Sequence, residues 1–209
     1  LVNATDISDK FVGSSWACDP FIPLSPVCSW PGVSCDAYNS VTGISVGDNG
    51  IRGTLPNSLG NLSQLEVLAF PRNGMFGTIP STLGLVSTLR ELELSDNFFS
   101  GTLPSNLAQL DNLSTLFLDL NNITGTIPTA FGGFHSIKLM VLNSNYLTGT
   151  LPKPLFSLPT LEGLGVAFNQ LTGEIPFDSD TSLPEGQLFW LSGNLFDGPL
   201  RAFDEEVFL

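Results

Sequence analysis

A short motif, Gly-x-(Leu or Ile)-Pro, recurs along this chain at a constant interval. Its glycine stands at Gly53, Gly77, Gly101, Gly125, Gly149 and Gly173, and the proline follows three residues later each time. The copies thus define a 24-residue period, and x is threonine in all but the last of them. A fixed period of this length is typical of a solenoid, in which each repeat forms one coil and packs on its neighbours. The chain is therefore predicted to be a stack of about six to seven coils.

Two further features share this period and predict the first strand of each coil. An asparagine recurs at Asn49, Asn73, Asn97, Asn121, Asn145 and Asn169, and Asn194 follows one position later than the period requires. Leucines precede it in a Leu-x-x-Leu-x-Leu pattern, as in LRELELSDN. This alternation predicts a half-buried strand with its leucines in the core. The asparagine should end the strand and turn inward, where its amide can satisfy backbone groups and link coils.

The six residues around each motif glycine predict a second extended segment. In ITGTIP, Ile123 and Ile127 should point inward, while Thr124 and Thr126 point outward. The glycine is predicted to face inward, where a side chain would push the backbone off the core. The proline ends the strand because it has no N–H to donate. The rest of the repeat, such as NSLGNLSQ, should return as a 3₁₀ or irregular turn.

The repeat pattern LxxLxLxxNxLtGxIPxxLGxL, over about residues 41 to 200, resembles the plant-type leucine-rich repeat. The block SSWACDPFIPLSPVCSWPGVSC resembles the cap that precedes such repeats. The resemblance implies an α/β-type repeat solenoid. Its features would be a right-handed arc, a parallel sheet on the concave face, a second short sheet on one flank, and a 3₁₀ or irregular convex side. It also implies an N-terminal cap over residues 1–40, a solenoid over 41–195, and a C-terminal cap or acidic tail over 196–209.

The cap resemblance also bears on the three cysteines. It implies a disulfide between Cys28 and Cys35, which leaves Cys18 free or paired with a cysteine outside this segment. A bridge from Cys18 to Cys28 is the alternative. Near the other end, the last repeat, GEIPFDSDTSLPEGQLFWLSGN, has one extra residue. It is predicted to be a decayed last coil or the start of a cap.

Charge and composition narrow the range of partners. A formal net charge of −13 argues against nucleic acid and anionic membranes, and favours neutral, basic or cationic partners. No apolar run reaches the roughly 18 residues that a membrane span needs. The sequence shows neither an initiator methionine nor a signal peptide, so the chain is expected to be a processed or trimmed piece. Four N-x-S/T sequons are candidate glycosylation sites and fit an extracellular protein: Asn3, Asn61, Asn112 and Asn122.

No catalytic, cofactor or metal site is predicted. The single histidine, His135, falls on the predicted convex turn, and no nucleophile or second histidine accompanies it. Glu91 and Glu93 are spaced as glycosidase carboxylates could be, but a solvated acidic face explains them better. A calcium site built from Glu91, Glu93, Asp96 and Asp119 would need six or more oxygens.

The predicted solvent face of the concave sheet carries the main candidate binding site. Apolar side chains gather toward its C-terminal half, where an exposed sheet ordinarily carries polar ones, and such patches mark interaction sites. These residues are Phe117, Leu120, Leu139, Val141, Phe168, Leu188 and Trp190. Next to them lies an acidic cluster of Glu91, Glu93, Asp96 and Asp119. The surface suits a peptide or protein with hydrophobic and basic residues, but self-association or packing of a missing segment are alternatives.

The outward threonines form a second candidate surface. They are expected to stand in two ranks, about 4.8 Å apart between coils, as on the flat faces of β-solenoid ice-binding proteins. Threonine also favours strands and pairs well across them, which is the structural alternative. The predicted members are Thr54, Thr78, Thr102, Thr124, Thr126, Thr148, Thr150 and Thr172; Arg52, Phe76 and Glu174 interrupt the array.

Binding is thus the predicted function, with no catalysis. The preferred hypothesis is an extracellular recognition module, similar to a receptor or co-receptor ectodomain, that binds a peptide or protein on its concave sheet. Ice binding by the threonines is the first alternative. A secreted inhibitor of cell-wall-degrading hydrolases, like the polygalacturonase-inhibiting proteins, is the second. Its C-terminal cysteine pair is missing here, and the acidic charge makes attachment to pectin unfavourable.

Overall fold

Each repeat passes through the same three segments: a strand of one parallel sheet, a strand of a second sheet, and a 3₁₀ turn. This is the succession that the 24-residue period predicts. The computed structural model describes residues 26–176 and 187–197. The two sheets are called here the main sheet and the flank sheet.

The main sheet has the order β1-β2-β4-β6-β8-β10-β12-β14. Its strands are β1 (Val33–Cys35), β2 (Val41–Ser45), β4 (Val67–Ala69), β6 (Glu91–Glu93), β8 (Thr115–Phe117), β10 (Leu139–Val141), β12 (Gly163–Gly165) and β14 (Leu188–Trp190). All neighbours are parallel except β1 and β2, which are antiparallel. From β2 to β12, residues one full period apart stand opposite each other, as Glu91 and Thr115 do.

The flank sheet has the order β15-β13-β11-β9-β7-β5-β3, and all its pairings are parallel. Its strands are β3 (Arg52–Gly53), β5 (Gly74–Gly77), β7 (Phe98–Thr102), β9 (Asn122–Gly125), β11 (Tyr146–Gly149), β13 (Gln170–Gly173) and β15 (Leu195–Phe196). From β3 to β13, each strand therefore contains the glycine of the repeated motif.

The predicted return turns are 3₁₀ helices. In the solenoid they are Asn57–Asn61, Ser81–Leu85, Ser105–Gln109, Thr129–Gly133 and Lys153–Ser157, and a further one, Val27–Ser29, lies in the cap. Each solenoid turn begins directly after the motif proline, whose backbone is extended. The flank strands end two or three residues before this proline, so the prediction that the proline ends the strand is wrong. Because the turns are short, one coil fits into a single period of the sequence.

Side chains that recur once in each repeat fill one continuous apolar core between the sheets and the turns. The middle residues of the main-sheet strands, such as Leu92, Leu116 and Leu164, are fully buried. Ile123 and Ile127 of the ITGTIP motif are buried as predicted. Burying apolar surface in this way is the dominant favourable term in folding.

The repeated asparagines link consecutive coils, as predicted. In Asn73, Asn97, Asn121, Asn145, Asn169 and Asn194, the side-chain oxygen accepts a hydrogen bond from a backbone N–H of the preceding coil at 2.9–3.0 Å. The amide nitrogen of each donates to a carbonyl of the preceding coil at 2.7–3.0 Å. Buried backbone groups at each bend are therefore satisfied by one side chain.

The prediction that the motif glycines face the core is wrong. From Gly77 to Gly173 their φ angles lie between 76° and 82°, a region that favours glycine. A Cβ at these positions would lie 2.8–2.9 Å from the threonine methyl of the preceding coil, as between Gly125 and Thr102. Glycine is therefore required by the backbone angle and by the threonine beside it, not by the core.

A disulfide joins Cys28 and Cys35 in the cap, with their Cα atoms 5.7 Å apart. The alternative bridge from Cys18 to Cys28 is therefore wrong. Cys18 itself lies outside the described residues, as does almost all of the predicted C-terminal segment 196–209. The cap is joined to the solenoid because β1 extends the main sheet through β2.

The last repeat keeps its place in the stack despite its extra residue. β14 pairs with β12 one residue beyond the period, with Leu188 opposite Gly163, and Asn194 forms the same inter-coil hydrogen bonds as the earlier asparagines. The prediction of a decayed coil therefore does not apply to the strand and the asparagine. The loop before them, residues 177–186, lies outside the described residues.

Candidate functional site

The solvent side of the main sheet presents two rows of side chains in register, as the sequence predicts. One row runs Glu91, Thr115, Leu139, Gly163 and Leu188, and the other runs Glu93, Phe117, Val141, Gly165 and Trp190. Glu91 and Glu93 therefore stand on β6, and the apolar residues of the two rows stand on β8, β10 and β14. Asp96 and Asp119 lie just beyond the ends of β6 and β8. The structure brings the two groups together on one face.

Trp190 lies over Gly163 of the neighbouring strand β12, and the absence of a side chain there makes room for the indole. Gly163 and Gly165 are buried although they lie on the solvent side of the sheet. A Cβ at Gly163 would lie 3.3 Å from Cζ3 of Trp190 and 2.9 Å from Cδ2 of Leu139. The indole therefore leans from β14 across β12 toward Leu139. The result is a continuous apolar floor, and its aromatic anchor is held by packing.

Two more apolar residues extend this floor at the rim where the main-sheet strands end. Leu120 is 51% exposed and Phe168 is 64% exposed, and both have φ of 55°. A Cβ at Gly193 would lie 2.6 Å from Cδ1 of Phe168, so this ring rests on the next coil. Left-handed backbone costs a non-glycine residue roughly 1–2 kcal/mol. Large apolar side chains thus occupy positions where the backbone would favour glycine or asparagine.

The acidic strip beside this floor is electrostatically coupled. Burial raises the pKa of Asp119, and the negative charges of Glu93 and Asp96 raise it further, although its own backbone N–H opposes the shift. Burial and, less strongly, Glu93 also raise the pKa of Glu91. The four carboxylates therefore form one cluster, as predicted. A cation placed there would relieve both the repulsion and the cost of burial.

The predicted calcium cluster and the single histidine were candidates for metal or acid–base chemistry. No group of three or more His, Cys, Asp or Glu residues there is placed to hold a metal ion. His135 is exposed next to a 3₁₀ turn, and its Nδ1 lies 3.1 Å from Oδ1 of Asp111. This is the surface position that the sequence predicts for it.

The threonines lie on the flank side, but most have structural partners. The hydroxyls of Thr124, Thr148 and Thr172 donate to the carbonyl of the preceding coil's motif glycine at 3.2–3.4 Å. The second group packs its methyls where the next coil's glycine leaves space: Thr54, Thr78, Thr102, Thr126 and Thr150. These contacts support the structural alternative, in which the threonines join neighbouring coils.

The flank sheet also lacks the two straight ranks that the ice-binding hypothesis expects. From β3 to β13 its strands pair at a step two residues shorter than the period, so Thr124 stands between Thr102 and Tyr146. Thr148 stands opposite Gln170. The threonine positions are exposed as predicted, but other residue types interrupt their lateral rows.

The sequons fall on different surfaces. Asn61 ends a 3₁₀ turn and is exposed. Asn112 is also exposed, but its Nδ2 donates to the carbonyl of Ser87 at 2.8 Å. Asn122 opens strand β9 on the flank sheet. Asn3 lies outside the described residues.

A shallow groove of about 490 Å³ lies between two consecutive motifs, away from the apolar floor. Thr78, Pro80, Thr102, Pro104 and Asn106 contribute to its lining. Both threonines of the groove also pack on motif glycines. This groove adds no charged or aromatic group to the candidate site.

A family model described as "Leucine rich repeat" matches residues 87–147 and 111–171. The parallel sheets, the 3₁₀ turns and the asparagine bonds agree with this match, which covers less than half of the chain. The chain folds as a leucine-rich-repeat solenoid. The likeness to the plant-type repeat is thereby confirmed.

Solved structures of plant proteins share the fold of this leucine-rich-repeat chain. The peptide hormone receptor RGFR1, in complex with RGF2, is 30% identical over 73% of this chain and 24% of its own, with a TM-score of 0.69. Pollen Receptor Kinase 3 is 25% identical over 96% of this chain and 98% of that chain, with a TM-score of 0.77. A plant ice-binding protein is 27% identical over 88% of this chain and 66% of its own, with a TM-score of 0.65. The chain spans about a quarter of the length of RGFR1.

Two features of this leucine-rich-repeat surface are not predicted by the sequence. The packing of Trp190 over Gly163 is one of them, because the two residues belong to different repeats and no motif within one repeat relates them. An exposed aromatic pair, Phe76 and Phe98, is another, and its members lie opposite each other on adjacent flank strands. The flank strands pair two residues short of the 24-residue period, so an alignment of the repeats does not place these two rings together.

The raised pKa values predict how the stability of the domain depends on pH. Because Glu91 and Asp119 bind protons more readily when folded than when unfolded, they cost stability while ionised at neutral pH. As the pH falls below the raised pKa values and then below the ordinary ones, both carboxyl groups become protonated in the folded and the unfolded state. The cost to the free energy of unfolding should then disappear. A Glu91→Gln, Asp119→Asn variant should thus be more stable than the parent near pH 7, and the difference should shrink toward pH 4. Urea unfolding across this range measures it.

Glu174→Gln, directly after β13, is the control for the loss of a carboxylate charge outside the strip. It should leave the difference from the parent much less dependent on pH. A gap between the double variant and the parent that widens as the pH falls would contradict the assignment of the strip.

Proposed function

We propose that this domain is an extracellular recognition module whose main sheet binds an extended peptide with apolar side chains and at least one basic residue. The observation that carries the proposal is the seat of Trp190 on Gly163, which continues the apolar floor between β8 and β14. Rigid aromatic side chains in such settings are typical anchors of interfaces. A peptide is bound by the related receptor RGFR1, and this supports the ligand class.

Charge complementarity supports the basic residue. The strip of Glu91, Glu93, Asp96 and Asp119 adjoins the floor, and burial and mutual repulsion already raise the pKa values of Glu91 and Asp119. An arginine or lysine there would restore favourable interactions to these carboxylates. The matching ligand thus pairs a basic end with an apolar end.

The spacing of the strands sets the spacing within the ligand. From β6 to β14 there are four steps between neighbouring strands, or about 19 Å at about 4.8 Å each. An extended peptide rises about 3.3 Å per residue, so about six residues cover this span. Since alternate side chains face the same way, an even separation places both anchors on the sheet.

Selection from a displayed library of random dodecapeptides tests this proposal. Binders should be enriched in a basic residue and a large apolar residue about six positions apart, with even separations favoured over odd ones. Counter-selection on the Trp190→Ser, Phe117→Ser variant removes peptides that bind elsewhere. Enrichment of acidic residues, or no preferred separation, would overturn the proposal.

Light scattering on the purified chain addresses the alternative occupant, a second copy. The proposal expects a monomer at micromolar concentration. A dimer that dissociates in the Trp190→Ser variant would mean that the floor is a self-association surface.

Ice binding by the flank sheet is the second candidate, and the likeness to a plant ice-binding protein favours it. Thr124, Thr148 and Thr172 are exposed on that sheet, but the interrupted rows and the bonded hydroxyls weaken the case. Thermal hysteresis of the unglycosylated protein decides it. Activity that is lost in Thr124→Val, Thr148→Val would support ice binding, and no effect at high micromolar concentration would exclude it.

A further inference from the structure

The flank sheet carries a sequon in the middle of exposed aromatic residues. Asn122, Ile123 and Thr124 form the sequon, and Asn122 is exposed at the start of β9. The strand partner of Asn122 on β7 is Ser100, a small residue that leaves room beside it. The amide of Asn122 makes no hydrogen bond to another described residue, unlike that of Asn112.

Phe98 and Tyr146 lie on either side of this asparagine. Phe98 is two residues before Ser100 on β7, and Tyr146 stands opposite Thr124 from β11. Both are therefore diagonal neighbours of Asn122, at about 7–8 Å, which aromatic side chains can span. They are 59% and 51% exposed. Aromatic rings of this size stabilise a protein most when their surface is removed from water.

We propose that Asn122 carries an N-linked glycan whose first sugars pack on the rings of Phe98 and Tyr146. The apolar C–H face of a sugar covers an aromatic ring while its hydroxyls stay in water. In the transfer, Nδ2 forms a bond to the anomeric carbon of an oligosaccharide and loses one proton. The lipid diphosphate that carried the oligosaccharide leaves. The disulfide Cys28–Cys35 is consistent with the oxidising compartment where this occurs.

The other two described sequons lack this setting. Asn61 ends a 3₁₀ turn, and the residue one repeat later is Leu85, which is aliphatic. Asn112 already uses its attachment nitrogen in a bond to Ser87. A glycan on Asn122 would thus cover the exposed aromatic surface of the flank sheet and obstruct the threonines, which leaves the main sheet as the open face.

Secretion of the chain from a eukaryotic cell, followed by glycopeptide mass spectrometry, tests occupancy. Asn122 should be occupied. An endoglycosidase that leaves one sugar on the folded protein should hardly change Tm, whereas removal of that sugar should lower Tm by about 2–4 °C. Enzymatic removal needs no variant, so the test does not depend on how Asn122→Gln folds.

The aromatic seat is tested by the Phe98→Ser, Tyr146→Ser variant, in which removal of the same sugar should leave Tm unchanged. Deglycosylation of Asn61, isolated in an Asn122→Gln background, is the matched control and should not depend on the two rings. The proposal is overturned if Asn122 is unoccupied in the secreted protein. It is also overturned if the loss in Tm is the same with and without the rings.

Discussion

Replacement of Asn121 by alanine should lower the free energy of unfolding by about 2–4 kcal/mol. The side-chain oxygen accepts from the N–H of Phe99, and the amide donates to the carbonyls of Leu94 and Leu118. All of these groups are buried at the junction of two coils, so the truncation leaves them without partners. Urea unfolding of the unglycosylated protein measures the loss.

Asn122→Ala is the matched control, because this neighbouring residue is exposed and its side-chain amide makes no hydrogen bond to another described residue. Its expected effect is within about 0.5 kcal/mol of the parent. Equal losses in the two variants would mean that the inter-coil hydrogen bonds contribute little to the stack.

Replacement of Trp190 by serine should weaken binding of a selected peptide by about 30-fold or more. This is the size expected when an anchor worth about 2 kcal/mol is removed. Phe76→Ser removes an exposed aromatic ring that lies on the flank sheet, and should change affinity by no more than about twofold. Isothermal titration calorimetry gives both values.

A second variant tests whether the position of the indole matters, separately from its presence. Gly163→Ala keeps every apolar atom of the floor, but its Cβ would lie 2.9 Å from Leu139, which must shift, and 3.3 Å from Trp190, whose indole must move by a few tenths of an ångström. Affinity should fall here too, with the thermal stability of the fold largely kept. If Gly163→Ala binds as tightly as the parent, the placement of the indole does not matter for recognition.

Much of the fold could be predicted because the period constrains every coil in the same way. Leu92, Leu116 and Leu164 are buried, and Asn121 bridges coils, because a residue at a fixed place in the period has the same surroundings in each repeat. The main-sheet rows followed for the same reason, since that sheet pairs at a step equal to the period.

What the sequence did not predict depends on relations between coils that the period does not contain. The flank sheet pairs two residues short of the period, so Phe76 meets Phe98 and Thr124 meets Tyr146. Gly125 is fixed by its φ of 78° and by the methyl of Thr102, neither of which can be seen in one repeat. The placement of Trp190 likewise depends on Gly163, one coil earlier.

Photo-crosslinking of a selected peptide tests the central claim most directly. A benzophenone at the apolar anchor position should attach to residues of β10, β12 or β14, and one at the basic position should attach near Glu93 on β6. The two sites should exchange places if the two anchors exchange places in the peptide. Crosslinks to the flank sheet or to the 3₁₀ turns, unaffected by Trp190→Ser, would contradict binding on the main sheet.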